Sequence, residues 1–403
     1  MRPRLVLCAS AVALLSTVAV GLSQGRRSGA FDQSVNHPAI KYLTADTDTA
    51  VDRMNAKLRD GAAKLVWDDK TGYLKSVLAL LDVPVESQVM VYSKTSLQAS
   101  HIAMDNPRAI YFNDSVSVGY IRGAGLIEIL AHDAAMGTVF YTINEAPAAQ
   151  PNAGRDNQCL RCHLSWDTLG VPGMSVLTTY PRKSEMDYAD GGTVDHFKPL
   201  DQRWGGWYVT GKKLPPRHMG NYPLILPKTV TQPPPRASLA GLFDLDGYLA
   251  PYSDIVALMV LEHQSHLVNL ITRATWETRM GEEPRIEEAV DALAEYMLYV
   301  DEARLPAGGI EGSSGFAEKF ASLGPKDAKG RSLRELDLKT RLQKYPLSYM
   351  IYSPAFQSMP ADIKQLVLDR INRVLSGEIT SPKYKHLTPE IRAAIREILK
   401  DTL

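Results

Sequence analysis

"DNQCLRCHLSWDTLGVPG", residues 156–173, sets Cys159, Cys162 and His163 within five consecutive positions and follows them with Gly170, Pro172 and Gly173. A C-x-x-C-H run fits three chemistries: a metal site, a thiol–disulfide pair, or covalent attachment of a haem. Chance placement of 3 Cys and 9 His in 403 residues gives such a run in roughly one chain in two thousand. Structural zinc takes four ligands, usually from two such pairs, and no second cysteine pair exists here. A thioredoxin-like pair should end a strand and open a helix. Here the flanks, "NAGRDNQ" and "LSWDTLGVPG", are polar or rich in Gly and Pro. The spacing fits one covalent haem c best: two thioethers reach one porphyrin edge, and His163 is placed as proximal iron ligand. The same flanks argue against a class I cytochrome c fold, which is small, almost all helical and opens on its haem motif. Here the motif starts at residue 159 and runs into loops with Gly, Pro and Trp.

The chain has 45 Lys+Arg and 45 Asp+Glu, which argues against a nucleic-acid binder that relies on neutralising phosphates. Arg2 and Arg4 precede an uncharged run, "LVLCASAVALLSTVAVGL" (5–22), followed by small residues. Residues 1–25 therefore read as a signal peptide, with an uncleaved membrane anchor as the alternative. Cleavage would remove Cys8 and leave Cys159 and Cys162 as the mature thiols. The expected location is the periplasm or cell envelope, with membrane contact only through that anchor.

The side of the iron opposite His163 decides between electron transfer and chemistry. "RWGGWYVTGKK" (203–213) and "PPRHMGNYP" (215–223) offer Trp204, Trp207 and Tyr208 to pack on a porphyrin, and His218 or Met219 as distal ligand. Met174, His196, His263 and His266 are further candidates. His196 lies between Asp195 and Asp201, and His263 follows Glu262 inside an apolar helical pattern. Either can serve as a distal acid–base group, or as an ordinary hydrogen-bonded histidine.

Residues 37–150 read as an α+β region. Helices are expected at 48–61 and 72–83, and closely spaced strands at "QVMVYSK", "AIYFND", "SVGYIR", "LIEILAHD" and "GTVFYTI" favour an antiparallel sheet. His101 and His132 lie near strand ends and read as structural. Residues 151–245 form a loop-rich haem c region. Residues 246–403 read as helical, with segments at 253–280, 284–303, 314–323, 331–344, 360–376 and 388–401.

The segments "SKTSLQ", "PRAIYFND", "GTVFYTIN", "CLRCH", "GVPG", "RWGGWYVTG", "RHMGN", "SDIVALMVLEHQ" and "YPLSYMIYS" together resemble a group of exported bacterial cytochrome-c-domain proteins. The resemblance runs along nearly the whole mature chain. It implies one integrated unit, haem binding at Cys159, Cys162 and His163, and electron transfer as the generic activity. Partners expected on this reading are a redox protein or a small-molecule substrate. The alternative function is a haem oxidoreductase, such as a peroxidase-like enzyme, with an open or exchangeable distal site.

Overall fold

A computed structural model describes residues 35–179, 191–223, 231–281 and 283–403. The export signal of residues 1–25 lies outside the described residues. Helix α1 (Ala50–Arg59) is held by a capping box: Thr49 accepts from the Asp52 N–H, and Asp52 accepts from the Thr49 N–H. A shorter helix, α2 (Leu74–Leu80), follows. Six strands then form one antiparallel sheet in sequence order: β1 (Val89–Val91), β2 (Arg108–Phe112), β3 (Val116–Tyr120), β4 (Leu126–Asp133), β5 (Gly137–Asn144) and β6 (Gly154–Arg155). The five expected strands are present, and the chain is α+β.

Alternation gives this sheet two unlike faces. The rung Tyr111–Val118–Ile129–Tyr141 faces a packed apolar layer that includes Val51, Met54, Leu74 and Val77 of α1 and α2. The neighbouring rungs, Phe112–Ser117–Leu130–Phe140 and Ile110–Gly119–Glu128–Thr142, belong to the other face. That face looks toward the C-x-x-C-H turn and the long helix of residues 255–280. The turn is α3 (Leu160–His163), and a separate hairpin, β7 (Val176–Thr179) with β8 (Gly191–Val194), follows it.

The helix α4 (Ile255–Met280) is capped by Asp254, whose carboxylate accepts from the Val256 and Ala257 N–H groups. It ends at Gly281, φ 78°. By length and composition it is apolar enough to cross a membrane, yet 89% of its most apolar window is buried inside the protein. It is a core helix. Around it pack α5 (Glu283–Met297), α6 (Phe316–Ser322), α7 (Pro354–Gln357) and α8 (Ala361–Ser376), and α9 (Pro389–Thr402) packs on α8. One apolar core runs from Val89 and Ile110 of the sheet through Trp204 and Leu258 to Ile398 of α9.

Two helical expectations are corrected. The segment at 284–303 ends at Met297, because Tyr299 and Asp301 adopt positive φ of 53° and 57°. Residues 331–344 form no helix. The chain folds back there, with Asp337 N–H donating to Leu342 O and Lys344 N–H to Glu335 O. Leu338, φ 56°, turns the corner. Tertiary contacts overrule the helical pattern. Leu333 and Leu342 are both buried, and Arg334 pairs with Asp114 while lying over the rings of Phe320 and Tyr349.

Candidate cofactor-attachment site

Asp156 opens the site by accepting from the Gln158 N–H at 2.9 Å. This caps the short turn Asn157–Cys159, which runs directly into α3. Within one helical turn, Cys159, Cys162 and His163 stand at i, i+3 and i+4, and so share a face. Cys159 is half-buried, Cys162 is exposed, and the two thiols are not joined. Burial pushes the Cys159 thiol up to about 12, helped by the nearby Asp156 and Glu128 charges. A redox-active thiol of a C-x-x-C motif needs the opposite shift. Among the described residues no three His, Cys, Asp or Glu side chains converge as a metal-ligand group, so the four ligands of a zinc centre are not assembled here.

The loop after His163 returns to it. Gly173 N–H donates to His163 O at 3.0 Å, and His163 Nδ1 lies 2.8 Å from Gly173 O. A carbonyl oxygen only accepts, so Nδ1 carries the proton and Nε2 keeps its lone pair. That tautomer is the one a metal-ligating histidine needs, and the bond to the carbonyl raises the ligand's basicity. Burial holds the imidazole pKa below its ordinary value, which keeps the ring neutral. Phe140 of β5 lies against it, ring centroids 4.9 Å apart.

Helix α4 fixes this loop from behind. Asn269 is buried. Its Oδ1 accepts from Met174 N–H at 3.1 Å, and its Nδ2 donates to Met174 O at 2.8 Å. One turn on, Arg273 donates to Leu169 O at 3.2 Å. Gly173 is required by this contact, because a Cβ there would stand 2.1 Å from Asn269 Oδ1.

A cleft opens between His163 and the second face of the sheet. Its sheet wall carries Ile110, Ser117, Gly119 and Leu130. The loop wall carries Cys162, His163, Met174 and Leu177, and Trp207 also lines it. Trp207 is fixed by donating from Nε1 to Leu177 O at 2.7 Å. A smaller adjoining cavity is lined by Cys159, Glu128, Phe140 and Leu97, and both are lined by Arg108, Cys162 and His163. The larger encloses about 90 Å³. Ligand pockets usually hold ~300–1,000 Å³, so a porphyrin held at Cys159 and Cys162 would not be enclosed by this cleft.

The remaining sequence candidates fall elsewhere. Trp204 is fully buried and donates from Nε1 to Glu262. Tyr208 belongs to the opposite apolar layer, with its hydroxyl donating to Met104 O at 2.6 Å. Of the three aromatics expected on the porphyrin, only Trp207 lines the cleft. His218 is buried beside Trp204, ring centroids 5.8 Å apart, and its Nδ1 accepts from the Gly220 N–H at 3.1 Å. Met219 N–H donates to Arg203 O. Neither His218 nor Met219 lines the cleft; Met174 does. His196 and His263 meet each other instead, Nδ1 to Nδ1 at 3.1 Å, and His263 Nε2 lies 2.8 Å from Ser348 Oγ. They stack with Tyr296 and Tyr299 inside the helical core. Beside them Arg203 pairs with Glu262 at 2.9 Å, both side chains at most 1% exposed.

Arg108, Glu128 and Asn269 were not legible as site residues. The faint signal was "SVG" in β3: Ser117 and Gly119 are small residues on one strand face, a pattern that leaves room for close approach. No protein-family model, curated protein or solved structure matches the chain.

Proposed function

We propose that this chain is an exported monohaem c-type cytochrome that carries single electrons. The observation supporting this most directly is the His163–Gly173 hydrogen bond, which leaves Nε2 of the motif histidine as the unprotonated nitrogen. Cys159 and Cys162 would hold the haem: each thiol adds across a vinyl group, sulfur to one carbon and hydrogen to the other. His163 would be the proximal ligand, with Gly173 fixing its tautomer and Asn269 fixing Gly173 through the neighbouring peptide. When bound, the iron supplies a one-electron redox couple. Leu130, Phe140 and Trp207 exclude water from the inner side of the cleft, which favours the less charged form of a buried redox group.

A second reading, a haem oxidoreductase with an open or exchangeable distal site, is favoured by one observation: His218 and Met219 do not line the cleft. The deciding experiment is expression with a c-type maturation system. Haem should stay on the protein under denaturing conditions, and Cys159→Ala with Cys162→Ala should abolish this. Wild-type protein without covalent haem would sink both readings. Low-spin bands unaltered by carbon monoxide or cyanide select the carrier. A high-spin iron that binds them selects the enzyme.

A further inference from the structure

On the sheet wall of the cleft, Arg108 of β2 reaches over β3 to Glu128 of β4, Nη2 to Oε2 2.6 Å. The two side chains are only 14% and 13% exposed. Gly119 stands directly opposite Glu128 in the ladder. A Cβ on Gly119 would lie 2.5 Å from Arg108 Nη2 and 2.7 Å from Nε, so the guanidinium occupies the space a side chain would fill. Its Nε is buried and has no hydrogen-bond partner among the described residues. A buried donor without an acceptor costs free energy, and a guanidinium presents its donors as a planar fork matched to two oxygens. Arg108 lines both cavities that meet at Cys162 and His163, and among the described residues it is the one Lys or Arg lining either of them.

We propose that Arg108 binds a carboxylate in this cleft. One cation beside one carboxylate suits a singly charged, planar oxyanion and disfavours a doubly charged phosphate. Two sources share this chemistry. The haem reading, on which one of them rests, brings propionate groups into the cleft. A small free carboxylate is the other. Glu128 competes for the same guanidinium and weakens either.

The test uses the purified full-length mature protein as wild type, Arg108→Lys, Arg108→Leu and Glu128→Gln. A haem stain on a denaturing gel first reports the attachment reading by itself. Acetate is then titrated while the arginine side-chain Nε–H resonances are followed, in the reduced protein if haem is present and directly if it is not. A shift of one such resonance, lost in both Arg108 variants and reached at about fivefold lower acetate in Glu128→Gln, supports the free-carboxylate source. With haem attached, no acetate response but a pH-dependent reduction potential that flattens in both Arg108 variants supports the propionate source. The lysine variant is the control for charge alone: it keeps the charge and loses the fork. Arg108→Lys matching wild type in both arms overturns the proposal, as does Arg108→Leu matching it. Loss of the haem stain in wild type overturns the attachment reading and leaves the acetate arm to decide Arg108.

Discussion

The loop carrying His163 and the middle of α4 each pack an imidazole, half-buried in the loop and fully buried in the helix, and they use them differently. In the loop, His163 has one nitrogen engaged by Gly173 O and turns a cleft-lining ring toward a space bounded by small residues. In α4, both nitrogens of His263 are engaged, by His196 and Ser348, and the ring is sandwiched among Tyr296 and Tyr299. A histidine with both nitrogens satisfied and no cavity beside it is a packing element. One with a fixed tautomer and an open face keeps a lone pair available for the ligand role proposed above. The two faces of the sheet repeat the lesson: large apolar rungs seal one side, while Ser117 and Gly119 leave space on the other.

The strongest test of this contrast is Glu262→Ala. It leaves Arg203 charged and buried without its partner, and should cost about 3–5 kcal/mol of unfolding free energy. Glu128→Gln, on the cleft wall, keeps an acceptor beside Arg108 and should cost less, about 1–3 kcal/mol. Equal losses in urea denaturation would erase the distinction between core and cleft. Next comes His263→Ala, expected to lose about 3 kcal/mol from cavity and lost hydrogen bonds. His163→Ala should lose less than about 1 kcal/mol while removing the proximal ligand from the absorption spectrum. The reverse ranking would mean that the roles have been exchanged.

Asn269→Ala should cost about 1–3 kcal/mol by leaving the Met174 peptide unsatisfied. It should also shift the visible spectrum of the haem-loaded protein, because the Gly173 carbonyl loses its anchor. Gly173→Ala should do the same by displacing Asn269. A stability loss with an unaltered spectrum would confine Asn269 to packing.

The smallest effect concerns pH. Burial lowers His132 and His218 to about 4 and His263 to about 3. Each binds a proton in the unfolded chain before it does so in the folded one, so its contribution is present above pH ~6.5 and lost as pH falls toward 3–4. Burial raises Glu145 and Glu302 to about 7. These take up a proton first in the folded state, so their contribution grows as pH falls from 7 to ~4.5. The two groups oppose each other in that window. Midpoints of urea unfolding should change little from pH 7 to 5 and drop below about 4.5, where Glu145 and Glu302 no longer offset the imidazoles. A steep loss already at pH 6 would show that the imidazoles outweigh the carboxylates.

Much of the fold was legible. Val, Ile, Tyr and Phe punctuated by Asn, Asp and Gly marked strands β1 to β5, and the helical spacing at 253–280 marked α4. The 331–344 segment was not, because its leucines sit at helical spacing and only their separate burial partners show the fold-back. At the site, Cys159, Cys162 and His163 were legible from spacing alone. Trp204, Tyr208, His218 and Met219 were grouped with them by composition, yet one residue's step along an extended chain sends successive side chains to opposite faces. Trp207 thus meets the cleft and Tyr208 the far layer.

Local spacing was enough to put Cys159, Cys162 and His163 on one face, because i, i+3 and i+4 on a single turn is a local property. The sequence by itself also determined that the motif opens into loops, through Gly170, Pro172 and Gly173. Only the tertiary structure decided which wall faces His163. That wall is assembled mainly from strand residues about 20 to 55 positions earlier in the chain, and α4, a hundred residues later, holds the loop that orients the ring. Contacts at such separations leave no spacing rule in the sequence. They follow from which faces of the sheet and helix are free once the apolar ones have packed.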